Sequence, residues 1–166
     1  APLLHDLGNM RSGEVDSQVS LFPNLTDNDW LWGGSPEQIK KTITDGRTGV
    51  MPAWGSALGE NGVADVAEHV LRLSGRDHDA AAAERGAGFF AQYCATCHGP
   101  QGKGNPMLGA PDLTNDIWLY GGEPRDIRQT VREGRTGVMP AQRDLLREDR
   151  IHLLAAYVYS LSLDGE

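Results

Sequence analysis

Only two cysteines, Cys94 and Cys97, occur in 166 residues, so a framework of several disulfides is excluded. Any staple that a small domain needs must be made by those two positions. The sequence also lacks a cluster of Lys and Arg. With a net charge of -8 there is no basic face of the kind nucleic acid requires, whereas a basic or dipolar protein partner is easily accommodated. No run of about 18 apolar residues is present, and so no membrane span is expected. A signal-peptide pattern is missing too, since Ala1, Pro2, Leu3 and Leu4 are followed at once by His5 and Asp6. The expectation is a mature soluble chain or one with an upstream part left out. No segment reads convincingly as a strand, which makes the expected fold class all-α.

What the sequence does contain is a duplication. FPNLTDNDWLWGGSPEQIKKTITDGRTGVMPA, from Phe22 to Ala53, matches APDLTNDIWLYGGEPRDIRQTVREGRTGVMPA, from Ala110 to Ala141, at an offset of 88 residues that carries Trp30 onto Trp118. A repeat this long is a domain rather than a solenoid turn. The seam is Gly75-Arg76-Asp77-His78, polar and carrying a glycine. Two tandem units are therefore expected, residues 1–75 and residues 76–166.

Each unit reads as helical. In the second, Asp79 is placed to cap a helix from Ala80 to Tyr93. A long Gly/Pro loop follows. Pro124 then opens a short helix through Ile127 and Val131 that stops at Gly134. From Glu148 to Leu161, apolar residues at steps of three and four mark a closing amphipathic helix. The first unit repeats the short helix near Glu37 to Asp45 and the closing one near Val63 to Leu73.

Cys94-Ala95-Thr96-Cys97-His98 has the C-x-x-C-H pattern of c-type haem attachment. At a helix end, two sulfurs three residues apart reach the two vinyl groups on one porphyrin edge, and the next residue carries an imidazole beneath the ring to the iron. A redox disulfide would want βαβ surroundings, and a structural zinc would want four Cys/His ligands; neither is found. A thioether is the common second axial ligand in electron carriers. Met139, before Pro140 on the loop after the short helix, is the candidate, with Met107 its rival only nine residues past His98. Trp118 and Tyr120 suit a haem wall or a propionate hydrogen bond, and Arg135 suits a propionate partner; core filling and a solvated surface are the plain alternatives. His5, His69, His78 and His152 have no partner pattern and are expected on the surface.

CATCHG, GKGNPMLGAPDLT, IWLYGGEP and the doubled GRTGVMPA together resemble the dihaem cytochrome c subunit, subunit III, of cbb3-type cytochrome c oxidases. The likeness runs from about Phe22 to Leu163. It implies two cytochrome c domains in the periplasm behind an N-terminal membrane helix. They take electrons from a donor cytochrome and pass them toward the catalytic subunit, where oxygen is reduced. Carried over by position, Cys94 and Cys97 are thioether sites, His98 the proximal ligand and Met139 the distal one.

The first unit departs from this pattern. At the 88-residue offset its C-x-x-C-H would fall on residues that are Asp6, Leu7, Gly8, Asn9 and Met10, and residues 1–21 read as foreign to the family, with the membrane anchor absent or upstream. A natural loss, a truncated or rebuilt chain and a misread N-terminal segment all account for this, and a non-covalent haem between His5 and Met51 is conceivable. The expectation is one covalent haem c per chain, a first unit that is partly degenerate, and periplasmic electron transfer with no catalytic residue on the chain itself. A free-standing soluble cytochrome and a haem peroxidase are the other functions weighed; the peroxidase needs an open sixth position, which a methionine fills.

Overall fold

The computed structural model describes residues 22–163, and it is mostly helical. The two short helices start on the signals the sequence carries. Helix α1, Pro36–Asp45, has Ser35 as its cap: Gln38 N donates to Ser35 Oγ and Ser35 N donates to Gln38 Oε1, which satisfies two of the orphan donors of a helix start. Helix α5, Pro124–Glu133, is its repeat counterpart, and the two stop at Gly46 and Gly134. The expected helix from Ala80 is capped by Asp79, whose Oδ1 accepts from Ala82 N at 2.9 Å. It forms in three pieces: α3, Ala80–Phe89, a π-helical turn, Phe90–Cys94, and α4, Ala95–His98. The closing helices are α2, Gly55–Leu73, which is broken at Gly59 (φ 64°), and α6, Glu148–Leu163.

One expectation needs correction. The repeated Arg-Thr-Gly-Val-Met segments are strands: β1, Arg47–Met51, and β2, Arg135–Met139, pair antiparallel with Gly49 opposite Gly137. Neither has a strand-like apolar alternation, because each acquires its partner only from its own copy 88 residues away. The pairing crowds the glycine before each strand: a Cβ on Gly46 would lie 2.3 Å from the Met139 carbonyl oxygen, and one on Gly134 would lie 2.4 Å from that of Met51.

This ribbon carries each chain segment across to the other unit's helices, so the boundary at residue 75 divides the chain but not its packing. Val63, Val66, Val70 and Leu71 of α2 are buried with Phe90, Cys94, Ile127 and Val131 of the second sequence unit. Ile151 and Ala155 of α6 are buried with Ile39 and Ile43 of the first. Each closing helix thus packs on helices of the other repeat.

Charge pairs follow the same choice. Asp65 of α2 holds Arg85 of α3 through two hydrogen bonds, of 2.7 and 3.0 Å, and Glu68 reaches Arg128 of α5 at 3.0 Å. Arg72 pairs with Glu84 at 3.0 Å. The counterparts of Asp65, Glu68 and Arg72 on α6 are Leu153, Ala156 and Ser160, which could make none of these pairs. Burial of four aliphatic side chains at about 1.5–3 kcal/mol each drives the docking. Partly exposed ion pairs, worth about 0–1 kcal/mol each, instead select which helix docks.

The tightest point of the crossing is Gly86, where a Cβ would stand 2.0 Å from the Asp65 carbonyl oxygen. Gly86→Ala must push two backbones apart, with an expected loss of about 3 kcal/mol of stability, measured by urea unfolding. His69, expected on the surface, is buried in this crossing, its ring 5.0 Å from Phe90 and its Nδ1 accepting from Arg72 at 2.9 Å. Burial first, and the Arg72 charge second, hold its pKa below the ordinary 6.5, with Glu84 opposing. The unfolded chain therefore takes up a proton that the folded one resists, so stability falls as pH drops through about 6.5. A lower urea midpoint at about pH 5 than at pH 7.5 is expected, with a smaller difference in His69→Gln.

Candidate haem site

The C-x-x-C-H segment is placed by the end of the α3 assembly. Phe90, 2% exposed, anchors the π-helical turn in the core. A π-turn widens the helix by one residue, a device found at functional sites, and here it leaves Cys94 buried and Cys97 exposed on the turn that follows. Burial, then the neighbouring Cys97, pushes the Cys94 thiol up to about 11.

His98 is buried at the end of α4. The loop after it folds back on itself: Gly104 N donates to His98 O at 2.8 Å and Leu113 N donates to Gly102 O at 2.7 Å. That fold brings Pro111 O within 3.1 Å of His98 Nδ1. A donor on Nδ1 fixes the tautomer and leaves Nε2 with its lone pair, the second-sphere arrangement of a metal-binding histidine. Burial lowers the His98 pKa, with the hydrogen bond to Pro111 opposing, and so favours the neutral form that a ligand must have.

Of the remaining candidates, Trp118 packs against the core cluster that contains Cys94. Its Nε1 is buried with no hydrogen-bond partner. Tyr120 lies under the Arg135 guanidinium, 4.8 Å from ring centroid to Cζ, and Arg135 Nε donates to Thr130 Oγ1 at 2.9 Å. Arg47 over Trp32, also at 4.8 Å, repeats this arrangement in the first unit.

The two methionines of the doubled motif are separated by the ribbon. Met139 is 40% exposed and stands opposite Arg47. Met51 stands opposite Arg135 and packs against the core cluster that contains Cys94. Met107, 85% exposed, packs on neither core cluster. Sequence reasoning missed the place of Met51 because it gave each methionine to its own repeat. The signal was the identity of the two GRTGVMPA copies, which lets them pair with each other.

A c-type haem fits these residues. Two sulfur donors, one neutral imidazole with a free Nε2, a thioether packed on the same core and a buried indole N–H lacking an acceptor are the groups that such a cofactor would engage. His5 lies outside the described residues.

Residues 5–70 and 81–158 match the family described as cytochrome c oxidase, cbb3-type, subunit III. The chain belongs to this family. Among curated relatives, the subunit CcoP of the cbb3-type cytochrome c oxidase of Rubrivivax gelatinosus is 49% identical over 142 residues, covering 85% of this chain and 46% of its own length. The subunit FixP of Azorhizobium caulinodans is 48% identical over 149 residues (84% and 51%), and CcoP of Cereibacter sphaeroides is 44% identical over 151 (84% and 52%). The chain thus spans about half the length of the subunit III relatives it matches. The family match reaches back to residue 5, which corrects, for residues 5–21, the expectation that residues 1–21 are foreign to subunit III. Among the described residues no helix is long and apolar enough to cross a membrane.

Proposed function

We propose that the chain binds one haem c and transfers single electrons in the periplasm, between a donor cytochrome and the oxygen-reducing subunit of a cbb3-type oxidase. The observation that carries this is the C-x-x-C-H segment at a helix end with His98 buried, neutral and aimed by Pro111. Bound haem c would supply a one-electron iron couple of a potential set by its axial ligands and surroundings.

The chain's own residues do the rest. Cys94 and Cys97 would hold the cofactor by thioether bonds, and His98 would be its imidazole ligand. Met51 would be the thioether ligand, since it is the motif methionine packed on the core that contains Cys94; Met139, the candidate by order along the chain, is the alternative. Trp118 Nε1 is free to donate to a propionate, and Arg135, pinned by Tyr120 and Thr130, keeps a positive charge next to Met51 in the ribbon. The valines, Phe90 and Ile127 of the core would exclude water from a cofactor seated against Cys94. With a net charge of -8 the docking is salt-sensitive and favours partners that present basic faces.

Two measurements test this. A pyridine haemochrome assay with intact mass on protein matured by a haem-attaching host should give one haem per chain; a colourless protein with free thiols overturns the proposal. Met51→Ala should abolish the weak red-region band of the thioether–iron bond and lower the midpoint potential by on the order of 0.1 V, within the ~0.8 V range that axial ligands control. Met139→Ala should leave both unchanged, and the opposite outcome returns the distal position to Met139.

A further inference from the structure

Arg76, in the seam between the two repeats, is fixed against the loop that carries Trp118. Its Nη1 donates to Gly122 O and its Nη2 pairs with Glu123 at 3.1 Å. Its backbone N donates to Leu71 O at 3.0 Å, which ties the seam to the end of α2 as well. These side-chain contacts engage two of the five N–H donors that a guanidinium carries. A cleft of about 460 Å³, lined by Leu71, Arg76, Asp77, Glu123 and Pro124, opens beside it.

Gly122 is the point on which two donors converge. A Cβ built there would lie 2.6 Å from Trp118 Cδ1 and 2.8 Å from Arg76 Nη1. Only a residue without a side chain lets an indole and a guanidinium come this close to one backbone position. Trp118 Nε1, bonded to that Cδ1, is buried and has no hydrogen-bond partner. Leaving such a donor unpaired costs about 1–3 kcal/mol, so its position favours an acceptor brought by a ligand. At the equivalent glycine of the first repeat, Gly34, the three nearest atoms all belong to the ring of Trp30, and Trp30 Nε1 is not among the buried polar atoms without a partner. The guanidinium and the orphaned indole therefore stand together in the repeat that carries C-x-x-C-H. Arg135, the propionate partner expected from the sequence, is held elsewhere, over the Tyr120 ring and on Thr130 Oγ1.

We propose that Arg76 and Trp118 together bind one propionate carboxylate of the haem, Arg76 supplying the charge and Trp118 Nε1 a buried hydrogen bond. The inference rests on the haem attachment proposed above and assigns residues to one part of that cofactor. Asp77 and Glu123 line the same cleft, so it is the guanidinium that makes an anion tolerable there. A carboxylate balanced by a cation leaves less negative charge acting on the iron, and loss of the cation favours the ferric state.

The test is a redox titration of the haem-loaded whole chain against a reference couple, with haem content and circular dichroism as controls. Arg76→Gln should move the equilibrium at least about threefold toward the oxidised form. Arg76→Lys keeps the charge and should move it less. Trp118→Phe should move it in the same direction as Arg76→Gln, and it leaves Arg76 on Gly122 and Glu123, so it tests the site even where Arg76→Gln does not fold. The double variant should fall short of the two single effects combined, because both act on one carboxylate. Haem attached with an unmoved equilibrium in Arg76→Gln or Trp118→Phe, equal effects of Gln and Lys at position 76, or fully additive effects overturn the proposal and leave the functional reading standing. A wild-type chain that matures without haem overturns both.

Discussion

The antiparallel pairing of two copies of Arg-Thr-Gly-Val-Met about Gly49 and Gly137 directs α2 and α6 each toward helices of the other repeat. Because the copies are the same sequence, the ribbon is nearly two-fold symmetric, and whatever follows one strand is delivered to the place opposite whatever follows the other. A short loop after β1 feeds α2 onto α3 and α5; the loop after β2 feeds α6 onto α1. The ribbon has few hydrogen bonds of its own and exposes Val50 and Val138, so it does not supply most of the stability. It sets the route, and aliphatic burial along α2 supplies the energy.

This explains which parts of the fold were legible in the sequence. The helices near Asp79, Pro124 and Glu148 were readable because their signals are local: an aspartate cap, proline at a first turn with glycine at the end, and apolar residues at steps of three and four. The C-x-x-C-H pattern is local in the same way, since five consecutive residues carry it. The strands were not, because Arg-Thr-Gly-Val-Met has meaning as a strand only beside its copy. The destination of α2 was hidden as well. Nothing within Val63 to Leu73 says whether its apolar face meets the helices before it or after it; Asp65, Glu68 and Arg72 do distinguish them, but only once Arg85, Arg128 and Glu84 are known to be the partners.

The burial of His69 illustrates a further kind of illegibility. A histidine with no partner pattern is by default exposed, and the sequence around it offers no ligand. It is buried because α3 crosses α2 at Gly86, a glycine whose missing side chain lets the helices approach closely enough to cover the ring. The reason for one residue's burial lies in the absence of a side chain on another, 17 positions along the chain.

The exchange also bears on why the first repeat keeps features of a cytochrome unit without a C-x-x-C-H. If each unit closed on itself, Met51 and the apolar face of α2 would serve the first repeat alone. With the helices exchanged, α2 forms one wall of the core that contains Cys94, and under the proposed ligation Met51 completes the coordination begun by His98. The core around Cys94 then depends on the segment from Arg47 to Leu73, and under the proposed ligation so does the distal ligand. The two repeats could not be separated by cutting at residue 75 without opening the core around Phe90 and Val131.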